Sequence, residues 1–201
     1  MRRPVLIVDD EEFNIEAIRN YLDMCGVPCA YSPTIAEAAS MIYDRTEATQ
    51  NSLTKLPLDE REFGAIVLDN HFTDNDLVAY DPNFNGIDLA IILAGKRHLF
   101  RPGHERFITD LFGELYEPIV ERYKNRVVFF SGSARTESRA RPDLFSGFSI
   151  ADKFPDNSRS TAEDSLLSIL EDDLGYSFDE CRGKIRAYKS LHGLSRGNLD
   201  Y

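Results

Sequence analysis

The stretch Val5-Leu6-Ile7-Val8-Asp9-Asp10 consists of four apolar residues that run directly into two aspartates. Three later stretches end in the same way, in small polar or charged residues: Ala65-Ile66-Val67-Leu68-Asp69, Val127-Val128-Phe129-Phe130-Ser131-Gly132 and Phe148-Ser149-Ile150-Ala151-Asp152-Lys153. Short apolar runs rich in β-branched and aromatic residues are typical of strands buried on both faces of a parallel sheet. Ligands of open α/β sheets bind beyond the carboxyl ends of such strands. The four runs therefore predict one site, in which three carboxylates, a hydroxyl and an ammonium group meet.

The segments between these runs carry a helical period. Apolar residues recur at spacings of three and four between residues 12 and 25, and Gly26 follows where a helix is expected to end. A short strand is predicted at 29–31, and Thr34 with Glu37 forms a capping box for the next helix. Alternating strands and helices, five of each, predict an α/β fold in which a parallel sheet has helices on both faces.

The length of 201 residues is enough for one domain with embellishments. We predict that this domain spans residues 1–178 and contains an inserted helical segment at about 97–125, bent at Pro118. The insertion carries aromatic residues at helical spacing, which favours packing against the body over a partner surface. Residues 179–201 form a basic tail, predicted to be either a docked final helix or a free end.

The overall composition excludes several classes of function. The formal net charge of −11 disfavours binding to nucleic acid, because the phosphate backbone would be repelled. No apolar stretch approaches the roughly 20 residues that a membrane span requires. Three cysteines in no metal-binding pattern are typical of reduced thiols, so we expect a cytoplasmic protein.

The predicted acidic edge suits one kind of chemistry. Three carboxylates close together repel one another, and a hard divalent cation removes that cost. Mg²⁺ prefers oxygen ligands and is usually held by one or two carboxylates and a phosphate oxygen. Asp9, Asp10 and Asp69 supply such ligands, while Ser131 and Lys153 supply a hydroxyl and a positive charge suited to phosphoryl oxygens. The sequence therefore predicts a site that handles phosphate with the help of Mg²⁺.

These motifs resemble the receiver domains of two-component response regulators, over roughly residues 4–174. The resemblance implies a flavodoxin-like, doubly wound sheet of five parallel strands in the order 2-1-3-4-5. It implies the following roles: Asp9 and Asp10 hold Mg²⁺ together with Asp69 and the backbone carbonyl of His71, Asp69 is the phosphoacceptor, and Ser131 and Lys153 contact the phosphoryl group. Asn85-Gly86 resembles the turn that opens the third helix.

The same resemblance implies a signalling protein and not a conventional enzyme. The phosphoryl donor would be a sensor histidine kinase or a histidine phosphotransfer protein, and the output would pass through contact with another protein. A homodimer is an open alternative for that contact. Ile150 occupies the position where the family commonly has an aromatic switch residue. This departure keeps open an alternative, a degenerate receiver that acts as an interaction module without phosphorylation. A phosphatase that works through an aspartyl phosphate is disfavoured, since such enzymes usually have a second aspartate where this chain has His71.

Overall fold

The computed structural model describes residues 3–51, 61–73, 76–151, 153, 162–179 and 181–191. Within them, five strands form one sheet in which every pairing is parallel. The strands are β1 (Val5–Val8), β2 (Cys29–Ser32), β3 (Ala65–Leu68), β4 (Val127–Phe130) and β5 (Ser149–Ala151). Their order in the sheet is β2-β1-β3-β4-β5. The fold class and strand order predicted from the sequence are confirmed.

The three central strands are apolar along their whole length because both of their faces are covered. Every residue of β1, β3 and β4 is buried. Side chains alternate along a strand, so Leu6 and Val8 enter one core while Val5 and Ile7 enter the other. This double burial explains why the runs in the sequence are continuous rather than alternating.

Helices cover both faces of the sheet. Their bounds are α1 (Glu12–Met24), α2 (Ile35–Asn51), α3 (Gly86–Leu93), α4 (Pro102–Phe107), α5 (Tyr116–Tyr123), α6 (Ala134–Ala140), α7 (Pro142–Phe145), α8 (Ala162–Asp172) and α9 (Arg182–Leu191). Side chains of α2, α3, α4 and α5 belong to one core. Side chains of α1, α8 and α9 belong to the other. Among the described residues, no helix is both long enough and apolar enough to cross a membrane.

The segment 97–125 is helical in pieces. Helix α4 continues through a π-helical stretch, Ile108–Phe112, and a 3-10 turn, Gly113–Leu115, separates that stretch from α5. The expected bend at Pro118 is not observed. Pro118 is the third residue of α5, where its missing N–H is not needed, whereas Gly113 takes a positive φ of 49°. The buried aromatic side chains of this segment pack in the core beside α2 and α3: Phe107, Phe112, Tyr116 and Tyr123.

The basic tail begins with a docked helix. Cys181 and Ile185 are buried in the same core as α1 and α8. On the outer side, the Arg182 guanidinium lies 2.6 Å from a carboxylate oxygen of Glu171 in α8. The described part of the tail is therefore attached mainly through apolar side chains; residues 192–201 lie outside the described range.

Candidate functional site

Two neighbouring strand ends bring the predicted carboxylates together. The Asp9 N–H donates to the Ser32 carbonyl at 3.2 Å, and the Asp69 N–H donates to the Val8 carbonyl at 2.9 Å. These bonds extend the backbone hydrogen bonding of the sheet by one residue past β1 and β3. They therefore fix the positions from which the side chains of Asp9 and Asp69 project. One carboxylate oxygen from each of Asp9, Asp10 and Asp69 lies within 4.8 Å of the other two.

Lys153 reaches into this cluster from the end of β5. Its Nζ lies 2.8 Å from Oδ2 of Asp9 and 2.9 Å from Oδ2 of Asp69. The side chains of all three residues are less than a tenth exposed, so water screens these contacts little. The third carboxylate, Asp10, accepts hydrogen bonds from the backbone N–H of Thr73 at 2.7 Å and from the Thr73 hydroxyl. One ammonium group therefore compensates two buried carboxylates.

The pKa values of Asp9 and Lys153 are set by burial and by the contacts between these two residues and Asp69. Burial raises the pKa of Asp9, even though the hydrogen bond and charge of Lys153 and the backbone N–H of Glu11 act to lower it. Burial acts to lower the pKa of Lys153, but the hydrogen bonds and charges of Asp9 and Asp69 outweigh it and raise that pKa. Lys153 is thus held in its charged form, while the charged form of Asp9 is costly.

The donor set fits a hard divalent cation. Three carboxylate oxygens within 4.8 Å of one another are ligands of the type that Mg²⁺ takes, and they form a partial cage that leaves positions for water or phosphate. A cation there would also offset the buried negative charge. Asp9, Asp10 and Asp69 are the residues that would hold it.

The predicted hydroxyl, Ser131, lies at the end of β4, which neighbours β3. It is buried, and its Oγ lies 3.4 Å from the Oγ of Ser133. The side chain of His71 is exposed, and its Nε2 lies 2.9 Å from the Ser133 Oγ and 2.6 Å from Oε1 of Glu137. His71 is therefore linked through its side chain to the start of α6.

Asn70 is a central residue of the site that the sequence analysis missed. Its backbone N–H donates to Oδ1 of Asp69 at 2.7 Å. Its side-chain amide donates to Oε2 of Glu137 at 2.6 Å and accepts from the N–H of Ile87 at 3.1 Å. Asn70 thus joins the end of β3 to both α3 and α6. Its position directly after Asp69 was the one signal that could have identified it.

Gly86 allows α3 to begin directly against the strand that carries Asp69. A Cβ atom at this position would lie 1.9 Å from the Asp69 carbonyl oxygen and 3.0 Å from Cα of Asn70. The N–H of Gly86 donates to the Asn70 carbonyl at 3.2 Å. Only glycine permits this close approach, which explains the residue type after Asn85.

No protein-family model matches the chain, and no curated protein matches it. Among solved structures, it is similar to a bacteriophytochrome response regulator, with 13% identity, a TM-score of 0.50, and coverage of 88% of this chain and 96% of that chain. The chain has the receiver-domain fold. A second similar structure is a CheY-like response regulator receiver domain protein from Methanospirillum hungatei, with 15% identity, a TM-score of 0.47, and coverage of 92% of this chain and 99% of that chain.

In this receiver fold, Ile150 lies within β5, whereas Phe148 lies just before the strand begins. Ile150 is half-buried and packs against the core that contains α3 and α5. Phe148 precedes β5, at the opposite end of the strand from Lys153, and packs edge-on against Phe129 at 5.4 Å between ring centroids. The Nζ of Lys96 lies 4.1 Å from the centroid of the Phe148 ring. Phe148 is therefore held away from the acidic cluster by its contacts with Phe129 and Lys96.

Proposed function

We propose that this protein is a phosphorylatable receiver that accepts a phosphoryl group on Asp69. The donor is a sensor histidine kinase or a histidine phosphotransfer protein, and the output passes through contact with another protein in the cytoplasm. The observation that carries this proposal is the meeting of Asp9, Asp10 and Asp69 within 4.8 Å, with Lys153 bound to Asp69. The receiver-domain fold supports it, since the same arrangement of strands places these groups at one edge.

The chemistry that we propose is an in-line phosphoryl transfer. An Asp69 carboxylate oxygen forms the new P–O bond while the P–N bond to the donor's imidazole breaks. The electron pair of the P–N bond stays on the imidazole nitrogen, and the imidazole leaves neutral because its other ring nitrogen carries a proton. Lys153 keeps its positive charge next to the oxygen of Asp69 and is placed to contact an arriving phosphoryl oxygen. Ser131 would donate its hydroxyl to another of these oxygens.

Mg²⁺ would be held by Asp9, Asp10, Asp69 and the backbone carbonyl of His71. When bound, it supplies positive charge that neutralises the phosphoryl oxygens during transfer. In its absence, the cluster of three carboxylates would repel an incoming phosphoryl group. We therefore expect phosphorylation to depend strictly on a divalent cation.

The test is to incubate the protein with acetyl phosphate and Mg²⁺ and to follow the intact mass. We expect a base-labile gain of one phosphoryl group that is lost in Asp69→Asn and retained in Asp143→Asn, which changes an exposed aspartate of α7. If no donor gives a Mg²⁺-dependent adduct, the proposal is wrong and the chain is a degenerate receiver. Steady turnover of an unrelated phosphate ester would instead indicate a phosphatase.

A further inference from the structure

Glu137 connects helix α6 to the loop that follows Asp69. Its Oε2 accepts a hydrogen bond from the side-chain amide of Asn70 at 2.6 Å, and its Oε1 lies 2.6 Å from Nε2 of His71. Both carboxylate oxygens are thus occupied by residues that directly follow Asp69 in sequence. Glu137 lies in the first turn of α6, where a negative side chain is favoured by the helix dipole.

The contacts of Glu137 belong to a chain of hydrogen bonds with Asp69 at one end. From Asp69 Oδ1, the chain passes through the N–H and the side chain of Asn70 to Glu137. From Glu137 it continues through His71 to Ser133 and then to Ser131, the hydroxyl residue at the end of β4. We call the contacts of Glu137 with Asn70 and His71 the Glu137 clip.

A phosphoryl group on Asp69 would disturb this chain at both ends. It would occupy one oxygen of a carboxylate whose Oδ1 accepts from Asn70 and whose Oδ2 accepts from Lys153. It would also offer new acceptor oxygens to the Ser131 hydroxyl, which lies next to Ser133. In addition, it would bring a charge of about −1.5 to −2 close to the negative carboxylate of Glu137. All three effects weaken the Glu137 clip.

We propose that Glu137 is a positioning residue that couples the phosphorylation state of Asp69 to helix α6, an inference that rests on the proposed function. With Asp69 unmodified, the clip holds the start of α6 against the loop that follows Asp69, residues 70–73, which we call the acceptor loop. With Asp69 phosphorylated, the clip opens and α6 becomes the surface that reports the signal. This route needs no aromatic residue at position 150, where the chain has Ile150.

The test compares hydrogen exchange of the α6 amides with and without Mg²⁺ and beryllofluoride, a stable mimic of the phosphoryl group. Fluorine NMR of the same samples shows whether the adduct has formed. In the wild-type protein we expect the adduct to speed exchange of α6 by about tenfold or more, since the loss of even one of the two charge-assisted hydrogen bonds of the clip corresponds to about this factor. In Glu137→Ala we expect fast exchange without the adduct and no further change with it.

Two more variants separate the clip from general damage. Glu137→Gln keeps the shape of the side chain and its ability to bond Asn70 and His71, so it should restore the slow exchange that Glu137→Ala loses. Glu121→Gln removes a charge from an exposed position on α5 and should behave as the wild type.

Two results would overturn the inference: an adduct on wild-type Asp69 that leaves α6 exchange unchanged, or a full response in Glu137→Ala. Absence of the adduct would instead show that the proposed function has failed, and the inference would fall with it. The fluorine signal distinguishes these two kinds of failure.

Discussion

At the scale of single residues, the buried carboxylate of Asp9 opposes folding when no cation is bound. Burial raises its pKa, so its charged form costs folding free energy when no metal is bound. We predict that Asp9→Asn raises the free energy of unfolding in EDTA, with an increase in Tm on the order of 2–4 °C, which corresponds to about 1 kcal/mol in a chain of this size. The same substitution should prevent Mg²⁺-dependent phosphorylation of Asp69.

The gain from Asp9→Asn has a definite pH dependence. Below the ordinary carboxyl pKa of 3.8, Asp9 is protonated in the folded and unfolded states alike, so the substitution gains nothing. Between pH 3.8 and the raised pKa of the folded state, Asp9 is ionised in the unfolded wild type but remains protonated in the folded wild type. The wild type therefore loses stability relative to the variant as the pH rises through this range. Urea unfolding at several pH values checks this. A gain that shrinks with rising pH, or one that Asp143→Asn also gives, would contradict it.

Replacement of Gly86 should displace the backbone around Asp69 without removing any of the side chains that we propose take part in phosphoryl transfer. In Gly86→Ala the new methyl group would overlap the Asp69 carbonyl oxygen, so either α3 or the acceptor loop must shift. We predict a loss of about 1–3 kcal/mol of unfolding free energy, and a fall of about tenfold in the rate at which acetyl phosphate labels Asp69.

Gly183→Ala is the matched control for Gly86→Ala. Gly183 lies in α9, where a Cβ atom would meet no heavy atom within 4 Å. Alanine is the better helix former, but Gly183 is only the second residue of α9, so we expect a gain of at most about 0.5 kcal/mol and unchanged labelling. Equal effects of the two substitutions would show that close packing at position 86 is unimportant.

At the scale of elements, the inserted segment is attached to α3 through a buried polar group. Oδ1 of Asp88 accepts from Nε2 of His104 at 2.8 Å and from the Arg101 guanidinium at 2.5 Å. The backbone N–H of Arg101 donates to Nδ1 of His104 at 3.2 Å, which assigns the remaining proton to Nε2. Because α3 begins against Asp69, the hydrogen bonds of Asp88 with His104 and Arg101 attach the insertion to the helix that borders the site.

We predict that His104→Leu lowers the free energy of unfolding by about 2–4 kcal/mol, although leucine preserves most of the buried volume. The reason is that the substitution leaves the buried Asp88 short of a donor and the Arg101 N–H without its acceptor. His98→Leu, at an exposed position in the turn before α4, should change the free energy by less than about 0.5 kcal/mol. Urea denaturation checks both values. If His104→Leu leaves the free energy of unfolding nearly unchanged, the hydrogen bonds of Asp88 do not hold the insertion.

The sequence was sufficient for features that depend on neighbouring residues. Each buried strand is a local apolar run, and the residue after it must lie at the edge of the sheet, so the positions of Asp9 and Asp69 follow from the runs in which they end. It was insufficient for contacts between distant residues. The hydrogen bond between Asn70 and Glu137 spans 67 positions and involves a helix of seven residues, too short to leave a periodic signal.

The same limit applied to the insertion. The four histidines are scattered in the sequence, and nothing local indicates that His104 is fully buried against Asp88. The break in the insertion was expected at Pro118 because proline interrupts helices, but the chain places Pro118 in the first turn of α5, where proline is tolerated, and turns at Gly113.

At the scale of the whole molecule, the two cores cover the two faces of one sheet, and the acidic cluster lies at one edge of that sheet. Helices α1, α8 and α9 cover one face, and α2 to α5 cover the other. This arrangement brings Asp9, Asp69 and Lys153 together from the ends of three strands. We propose that this edge accepts a phosphoryl group with the help of Mg²⁺.

The most direct test of that claim is the rate of Asp69 labelling by acetyl phosphate, measured by intact mass over a titration of Mg²⁺. We predict that the rate rises from background to saturation with Mg²⁺ in the wild type and in Asp143→Asn, and that it stays at background in Asp9→Asn and Asp69→Asn. Labelling that is independent of Mg²⁺, or that persists in Asp69→Asn, would contradict the account.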